Sequence, residues 1–398
     1  MSRKIANESC HTYLDINICN NNIDNDNSNP VPIVFQSKRD ADYLSNPQDY
    51  FLSVIRWSLD CRLPIIIPQI DLSYNNGLYD PSIGGYKTIY SVTLQIKRTG
   101  YATQEVQKYI IFIPQRKLRP PTQALTSMSE VYDISYFYID SVQYFMDLVN
   151  VAMKEAFNDV VALWQTNIGT LPILNQYPFL LYNYDGNFTL NTSIDFLDTK
   201  DVASGKGVLY MNSSLYTLFN GFSSLLQGYD STSPQDITNG KNNLIQFISQ
   251  YQTTTFNTVD YIYMLSEYPC VQFWSPISSI VFSSNGIPVE PTNTTPTNVI
   301  GNVSALASSN NNLNLAPIIT DFDINLVTGV ESRQITYYSA SVYRLFDLNS
   351  NRPLGVINII VGWKDKLTGS VHQMYLYSGG AGTMKIMFRK KTFYQGGD

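Results

Sequence analysis

Hydrophobic and polar positions alternate most cleanly in YSVTLQIK. Tyr90, Val92, Leu94 and Ile96 point one way, and Ser91, Thr93, Gln95 and Lys97 the other. Successive side chains of a strand face opposite sides, so the spacing predicts a half-buried strand with one solvated face. KYIIFIPQ (108–115) follows after Thr99-Gly100 and reads as its antiparallel neighbour. In FLSVIRWSL (51–59), Phe51, Ile55, Trp57 and Leu59 share a face, with Leu52 and Val54 making the other partly apolar. The period changes at 140–164. There Val142, Phe145, Met146, Val149, Ala152, Met153, Ala156, Phe157 and Val160 recur at three- and four-residue steps against Gln143, Asp147, Asn150, Lys154, Asn158 and Asp159. This predicts one long packing helix, with Asp140 as N-cap and Ile168-Gly169 closing it.

From 166 to 270 the pattern loosens into Asn, Ser, Tyr and Gly, and NLIQFISQY (243–251) suits a short helix or a strand equally. Strand signals return in VQFWSPISSIVFSS (271–284), then in RQITYYSASVYRLF, LGVINIIVGW, VHQMYLYSG and TMKIMFRKK, separated by NSNRP, KDKLTG and GGAG turns. The polar stretch 292–314 reads as an exposed or assembly-related loop. Many short strands with one helix predict a mainly β protein: a jelly-roll β-sandwich with one long packing helix and a large insertion. The expected domains are an extended N-terminal arm (1–50), the first part of the jelly roll with the helix (51–165), an insertion or outward domain (166–270) and the second part of the jelly roll (271–398).

LPIIIPQI (63–70) adds a constraint. Ile65, Ile66 and Ile67 are apolar on both faces, while Pro64 and Pro68 remove ladder donors. The run therefore belongs at a sheet margin, covered by the N-terminal arm, the helix or a neighbouring chain.

Composition narrows the function. Charged residues are 15% of the chain, against roughly 25% in an ordinary soluble domain. The deficit is filled by neutral polar groups, which suits a surface packed against others. Net charge is −6 with no basic arm, and the one dense cationic cluster is Lys385, Arg389, Lys390 and Lys391. Packaging nucleic acid takes many cations to displace phosphate counterions, so no direct nucleic-acid contact is expected. No stretch reaches about 18–20 uninterrupted apolar residues, so no membrane span is expected. Cys10, Cys19, Cys61 and Cys270 are scattered and read as free thiols.

Catalytic patterns are sparse. His11 lies in the arm and His372 in a late strand, neither with a local Ser/Asp motif. SGKG (204–207) and GGAG (379–382) lack the frame of a phosphate-binding loop and read as turns. Asp195/Asp198/Asp201 and Asp321/Asp323 are the acidic groupings with the spacing to hold a hard cation or to act as a carboxylate pair, but solvated loop residues are the plainer reading. No catalytic, cofactor-binding or metal-binding residue is assigned, and no cofactor or enzymatic activity is expected. Twenty-nine tyrosines supply apolar area with a polar tip, a property that serves shell contacts and sugar binding alike.

Three stretches, YFYIDSVQYFMDLVNVAMKEAF, FWSPISSIVFSSNGIPVEP and ITYYSASVYRLFDLNSNRPLGVINIIVGWKD, together resemble the minor capsid (penton) proteins of virophages and polinton-like viruses. The resemblance implies a structural virion protein, a jelly roll forming homopentamers at fivefold vertices. Its partners would be its own copies and the major capsid protein of the same virion, with assembly in the host cell cytoplasm. Two alternatives stay open on the sequence: a single jelly-roll major capsid protein, and a host-attachment or carbohydrate-binding β protein with a shallow aromatic-lined site and Asp/Asn partners.

Overall fold

The computed structural model describes residues 11–21, 31–61, 63, 65–66, 68, 86–113, 139, 141–170, 176–183, 185–226, 242–247, 253–256, 259–271, 274–290, 292–294, 314–323, 334–338, 344–366, 371–376 and 378–391. Its longer strands, in chain order, are β1 (His11–Cys19), β2 (Val34–Lys38), β3 (Tyr50–Asp60), β4 (Tyr86–Lys97), β5 (Gln104–Phe112), β6 (Phe179–Asn183), β7 (Asn187–Thr192), β8 (Lys206–Asn212), β9 (Ser224–Leu226), β10 (Asn242–Ile245), β11 (Thr253–Phe256), β12 (Val259–Leu265), β13 (Ile277–Ser283), β14 (Ile318–Phe322), β15 (Gln334–Tyr338), β16 (Val356–Asp365) and β17 (Ala381–Lys390). The helices are α1 (Val142–Asn167) and α2 (Ser213–Leu218). Contacts divide the chain into two compact units, Met1–Leu63 with Pro276–Asp398, and Pro64–Ser275.

The first unit is a jelly roll. Its two main sheets run β1-β17-β3-β15 and β14-β13-β16-β2, all antiparallel. Lettering these eight strands B to I in chain order gives B-I-D-G and C-H-E-F, the two interleaved Greek keys of that fold. The inner faces supply the core. Trp57 of β3 meets Phe282 edge-on at 5.4 Å and Phe322 at 5.9 Å, and Leu14, Ile16, Leu52, Met384, Ile386, Phe388, Ile357 and Ile359 are buried around them. Each such side chain contributes about 1.5–3 kcal/mol by leaving water.

Two expectations fail in this unit. The described segments of the expected arm include two strands of the roll. His11–Cys19 pairs along its whole length with β17, from His11↔Arg389 to Cys19↔Ala381, and Val34–Lys38 pairs with β16. Leu14, Ile16 and Phe35 supply the burial that fixes them, and the Asn/Asp run between hid that short pattern. The face of β3 also changes partway. Lys385 pairs with Arg56 but Ile386 with Val54, so Ile55 is an extra residue. Such a bulge hands the inner face from Leu59 and Trp57 to Val54 and Leu52 instead of to Ile55 and Phe51.

The second unit enters between β3 and β13, the D and E strands, and so is an insertion in the roll. It has two antiparallel sheets, β9-β10-β8-β4-β5 and β11-β12-β7-β6, with α1 against β4, β5 and β6. The helix and the β4–β5 hairpin therefore cluster with 166–275, whereas the sequence grouped them with the roll. All nine predicted apolar positions of α1 are buried, and Trp164 joins them. The N-cap is Ser141, whose hydroxyl accepts from Tyr144 N–H at 3.3 Å, while Asp140 lies outside the described residues. Trp164 C=O accepts from both Ile168 and Gly169 and ends the helix as predicted.

One polar position of α1 is structural. Asn150 donates to Leu180 C=O at 2.9 Å and accepts from Leu180 N–H at 2.7 Å, completing the β6 edge as a neighbouring strand would. The β4 alternation is also only half right. Tyr90, Val92, Leu94 and Ile96 are buried under the helix side, but Ser91, Thr93 and Gln95 are buried too. Gln107 donates to Ser91 at 2.9 Å and Gln95 to Glu105 at 2.6 Å, which satisfies the Ser91 hydroxyl and the Gln95 amide N–H, while Gln95 Oε1 is buried without a partner.

The isoleucine run crosses the boundary between the units. Leu63, Ile65 and Ile66 are buried, and Ile66 forms a single antiparallel bridge with Ile139, just before the helix. That bridge is isolated and belongs to no named strand; Pro64 and Ile67 lie outside the described residues. Of the loop at 292–314, Thr292–Thr294 pairs with Asn314–Ala316, and the stretch between them is likewise outside.

Candidate functional site

The acidic groupings do not converge. Asp195, only 3% exposed, sits in the turn Ile194–Phe196 with Lys200 Nζ at 2.9 Å and the Ser193 hydroxyl at 3.5 Å. Asp198 faces Lys206 at 3.9 Å, and Asp201 caps the turn Val202–Ser204 through Ala203 N–H. A hard cation takes six to eight oxygens, whereas here a lysine already answers the one buried carboxylate. Asp321 is paired with Arg344 at 3.5 Å and Asp323 is exposed. Among the described residues no group of three His, Cys, Asp or Glu is placed to hold a metal ion.

The remaining candidates have structural tasks. His372 is buried against the Trp363 ring at 4.4 Å, and His11 stacks on Tyr13 at the sheet edge. Gly205 (φ 93°) and Gly379 (φ 78°) take the positive φ of tight turns in SGKG and GGAG. Cys19 is exposed, whereas Cys61 and Cys270 are buried free thiols, and Cys10 lies outside the described residues. Burial, then the neighbouring Asp60 charge, pushes Cys61 up to about 12. Burial also raises Cys270, opposed by the Gly221 N–H donated to its sulfur. Neither thiol is an activated nucleophile, because the thiolate is the reactive form.

The features that sequence spacing does not reveal lie on outer faces. Across the β1-β17-β3-β15 sheet, the register sets Asp15, Lys385, Arg56 and Tyr338 in one row, and Asn17, Thr383, Ser58 and Thr336 in the next. Asp15 is 3.4 Å from Arg56 and 3.5 Å from Lys385, and Lys385 stands 5.4 Å over the Tyr13 ring. Tyr338 is 71% exposed. The rows enclose a shallow hollow of about 330 Å³ lined by Asp15, Asn17, Arg56, Ser58, Tyr338 and Thr383. The basic cluster thus spreads along β17 and beyond, with Lys385 on Asp15 and Lys391 on Asp347 at 2.8 Å. On the other sheet, a groove of about 700 Å³ follows the terminal strand β14, with Ile318, Leu345 and Phe346 among Glu290, Arg344 and Lys364.

Eight strands in two interleaved Greek keys, with a second unit between D and E, give the jelly roll that viral capsid proteins share with other classes. The Sputnik minor capsid protein V18/19 family matches residues 12–390, nearly the whole chain, and the chain belongs to that family. It is accordingly a minor capsid protein, a structural component of a virophage-type virion.

Structural protein V19 of Sputnik virophage is 25% identical over 190 residues, 46% of this chain and 81% of V19. A chain in the cryo-EM structure of the Sputnik virophage superposes with a TM-score of 0.71 at 24% identity, covering 98% of this chain and 100% of that one. The mavirus penton protein superposes with a TM-score of 0.57 at 14% identity over 96% and 99%. Both likenesses concern the fold. No helix among the described residues is long and apolar enough to cross a membrane.

Proposed function

We propose that this chain is the penton of its virion: five copies close a ring at each fivefold vertex and contact the major capsid protein around it. The observation that carries this reading is the family match from residue 12 to 390, spanning both the roll and its insertion, together with a fold shared with a penton protein. The B-I-D-G sheet ends in two different strands, β1 and β15, and the other sheet ends in β14 beside its groove. Non-identical surfaces of this kind suit the head-to-tail contacts from which rings are built. In this reading the roll forms the shell contacts, and assembly takes place in the host cytoplasm. The role is association, without turnover of a substrate.

Native mass spectrometry of the purified full chain at micromolar concentration tests the proposal. Five-copy species, and their incorporation into shells when the major capsid protein is co-expressed, are the expected result. A chain that stays monomeric alone and is absent from the vertices of assembled shells would overturn it.

A further inference from the structure

The hollow on the outer face of the β1-β17-β3-β15 sheet has a chemical character that shell contacts do not require. We propose that it is a saccharide-binding site, taking a sugar unit that carries a carboxylate. The lining mixes donors and acceptors at fixed spacing: the Asp15 carboxylate, the Asn17 amide, the Arg56 guanidinium and the Ser58 and Thr383 hydroxyls. A phosphate group presents acceptors almost alone and leaves the Asp15 carboxylate without a donor from the ligand. A sugar presents neighbouring hydroxyls that both donate and accept, so it uses the carboxylate as well as the amide.

Charge selects among sugars. Arg56 in the lining, at 3.4 Å, and Lys385 beside it, at 3.5 Å, bracket the single Asp15 carboxylate, an excess of one cation in this row. A second carboxylate, brought by the ligand, balances it, and Arg56 offers the planar fork that such a group accepts. Tyr338 stands at the end of that row, 71% exposed, next to Arg56 across the strands. An aromatic ring left so open on a sheet face offers the apolar face of a sugar ring a stacking surface.

Four hydrogen-bonded strands hold these residues, so the site is formed before a ligand arrives and little ordering is lost on binding. At about 330 Å³ the hollow is at the small end of ligand sites, roughly 300–1,000 Å³, which suits one terminal unit rather than a long chain.

The proposal stands apart from the order of the oligomer and is tested separately. Saturation-transfer NMR on the full chain, with 3′-sialyllactose as the acidic probe and lactose as its neutral control, is expected to show transfer to the sialyl unit and a clear preference for the acidic sugar. Tyr338→Ala is expected to weaken binding about three- to tenfold. Arg56→Ala is expected to remove the preference for the acidic sugar. Both positions are exposed, and an unchanged thermal melt verifies that the variants fold. Absence of transfer to either sugar, transfer unchanged in both variants, or displacement of the sugar by millimolar inorganic phosphate would each overturn the assignment. So would loss of self-association in Tyr338→Ala without any sugar binding by the parent chain, since the face would then be a protein contact.

Discussion

The roll and the inserted unit solve the same problem with different means. The roll closes two sheets over aromatic contacts between them, Trp57 against Phe282 and Phe322, with Tyr337 at 4.0 Å from Phe322. Each of its eight lettered strands is held by a partner far away in the chain. The inserted unit is organised around a local element, the helix α1, and one tryptophan. Trp274 stacks on Phe188 at 5.2 Å, meets Phe219 at 5.2 Å and Phe145 at 5.5 Å edge-on, and donates its indole N–H to Leu218 C=O. A local element nucleates order at small loop-closure cost, while a roll gains nothing until distant strands meet. The inserted unit is therefore expected to be the faster folder and the roll the slower one.

Buried thiols let the two regions be followed separately, because Cys61 belongs to the roll and Cys270 to the insertion. A thiol reagent at pH 8 is expected to label exposed Cys19 at once, and buried Cys61 and Cys270 only as each region opens. The largest effect is expected from removing the aromatic centres. Trp274→Ala costs about 3–5 kcal/mol and speeds Cys270 labelling a hundredfold or more, and Trp57→Ala does the same for Cys61. If either substitution accelerates both thiols equally, the two regions open as one, and the contrast between them fails.

A smaller effect separates helix packing from edge completion. Asn150→Ala leaves the buried N–H and C=O of Leu180 without their partner and is expected to cost about 2 kcal/mol. Hydrogen exchange at the Leu180 amide reads this directly. Asn150→Asp keeps the acceptor for that N–H and loses the donor to the carbonyl, so it should protect the amide better than Ala does. Equal exchange in both variants would mean that α1 holds β6 by packing alone.

What was legible in the sequence follows the same division. The α1 stripe could be read to the residue because its neighbours are three or four positions away. The late strands could be read because alternation is local, as with Met384, Ile386 and Phe388. Their partners could not. Nothing in HTYLDINIC announces that its mate begins at Ala381, and the β3 bulge exists only relative to that mate. The buried row Ser91, Thr93 and Gln95 looked solvated because polar residues are buried only when other strands supply their hydrogen bonds. The outer-face hollow was the least legible feature: Asp15, Arg56, Tyr338 and Thr383 come from four strands, and only the register joins them.

The smallest expected effect tests how far α1 depends on its own sequence. Ser141 accepts from Tyr144 N–H, and the first turn holds no acidic residue and the last no basic one. The hydroxyl cap is thus the helix's one side-chain provision for its N-terminal N–H groups among the described contacts. Ser141→Ala is expected to lower the stability of the inserted unit by about 1 kcal/mol. Ser141→Asp keeps an acceptor and adds a charge that the N-terminal dipole favours, so it should match the parent or exceed it by about 0.3–1 kcal/mol at low salt. That gain should shrink as salt is raised, while the loss in Ser141→Ala should not. Chemical denaturation with Cys270 labelling as the readout gives all three numbers. If Ala and Asp behave alike, tertiary packing alone sets the start of α1, and the inserted unit depends on distant partners as much as the roll does.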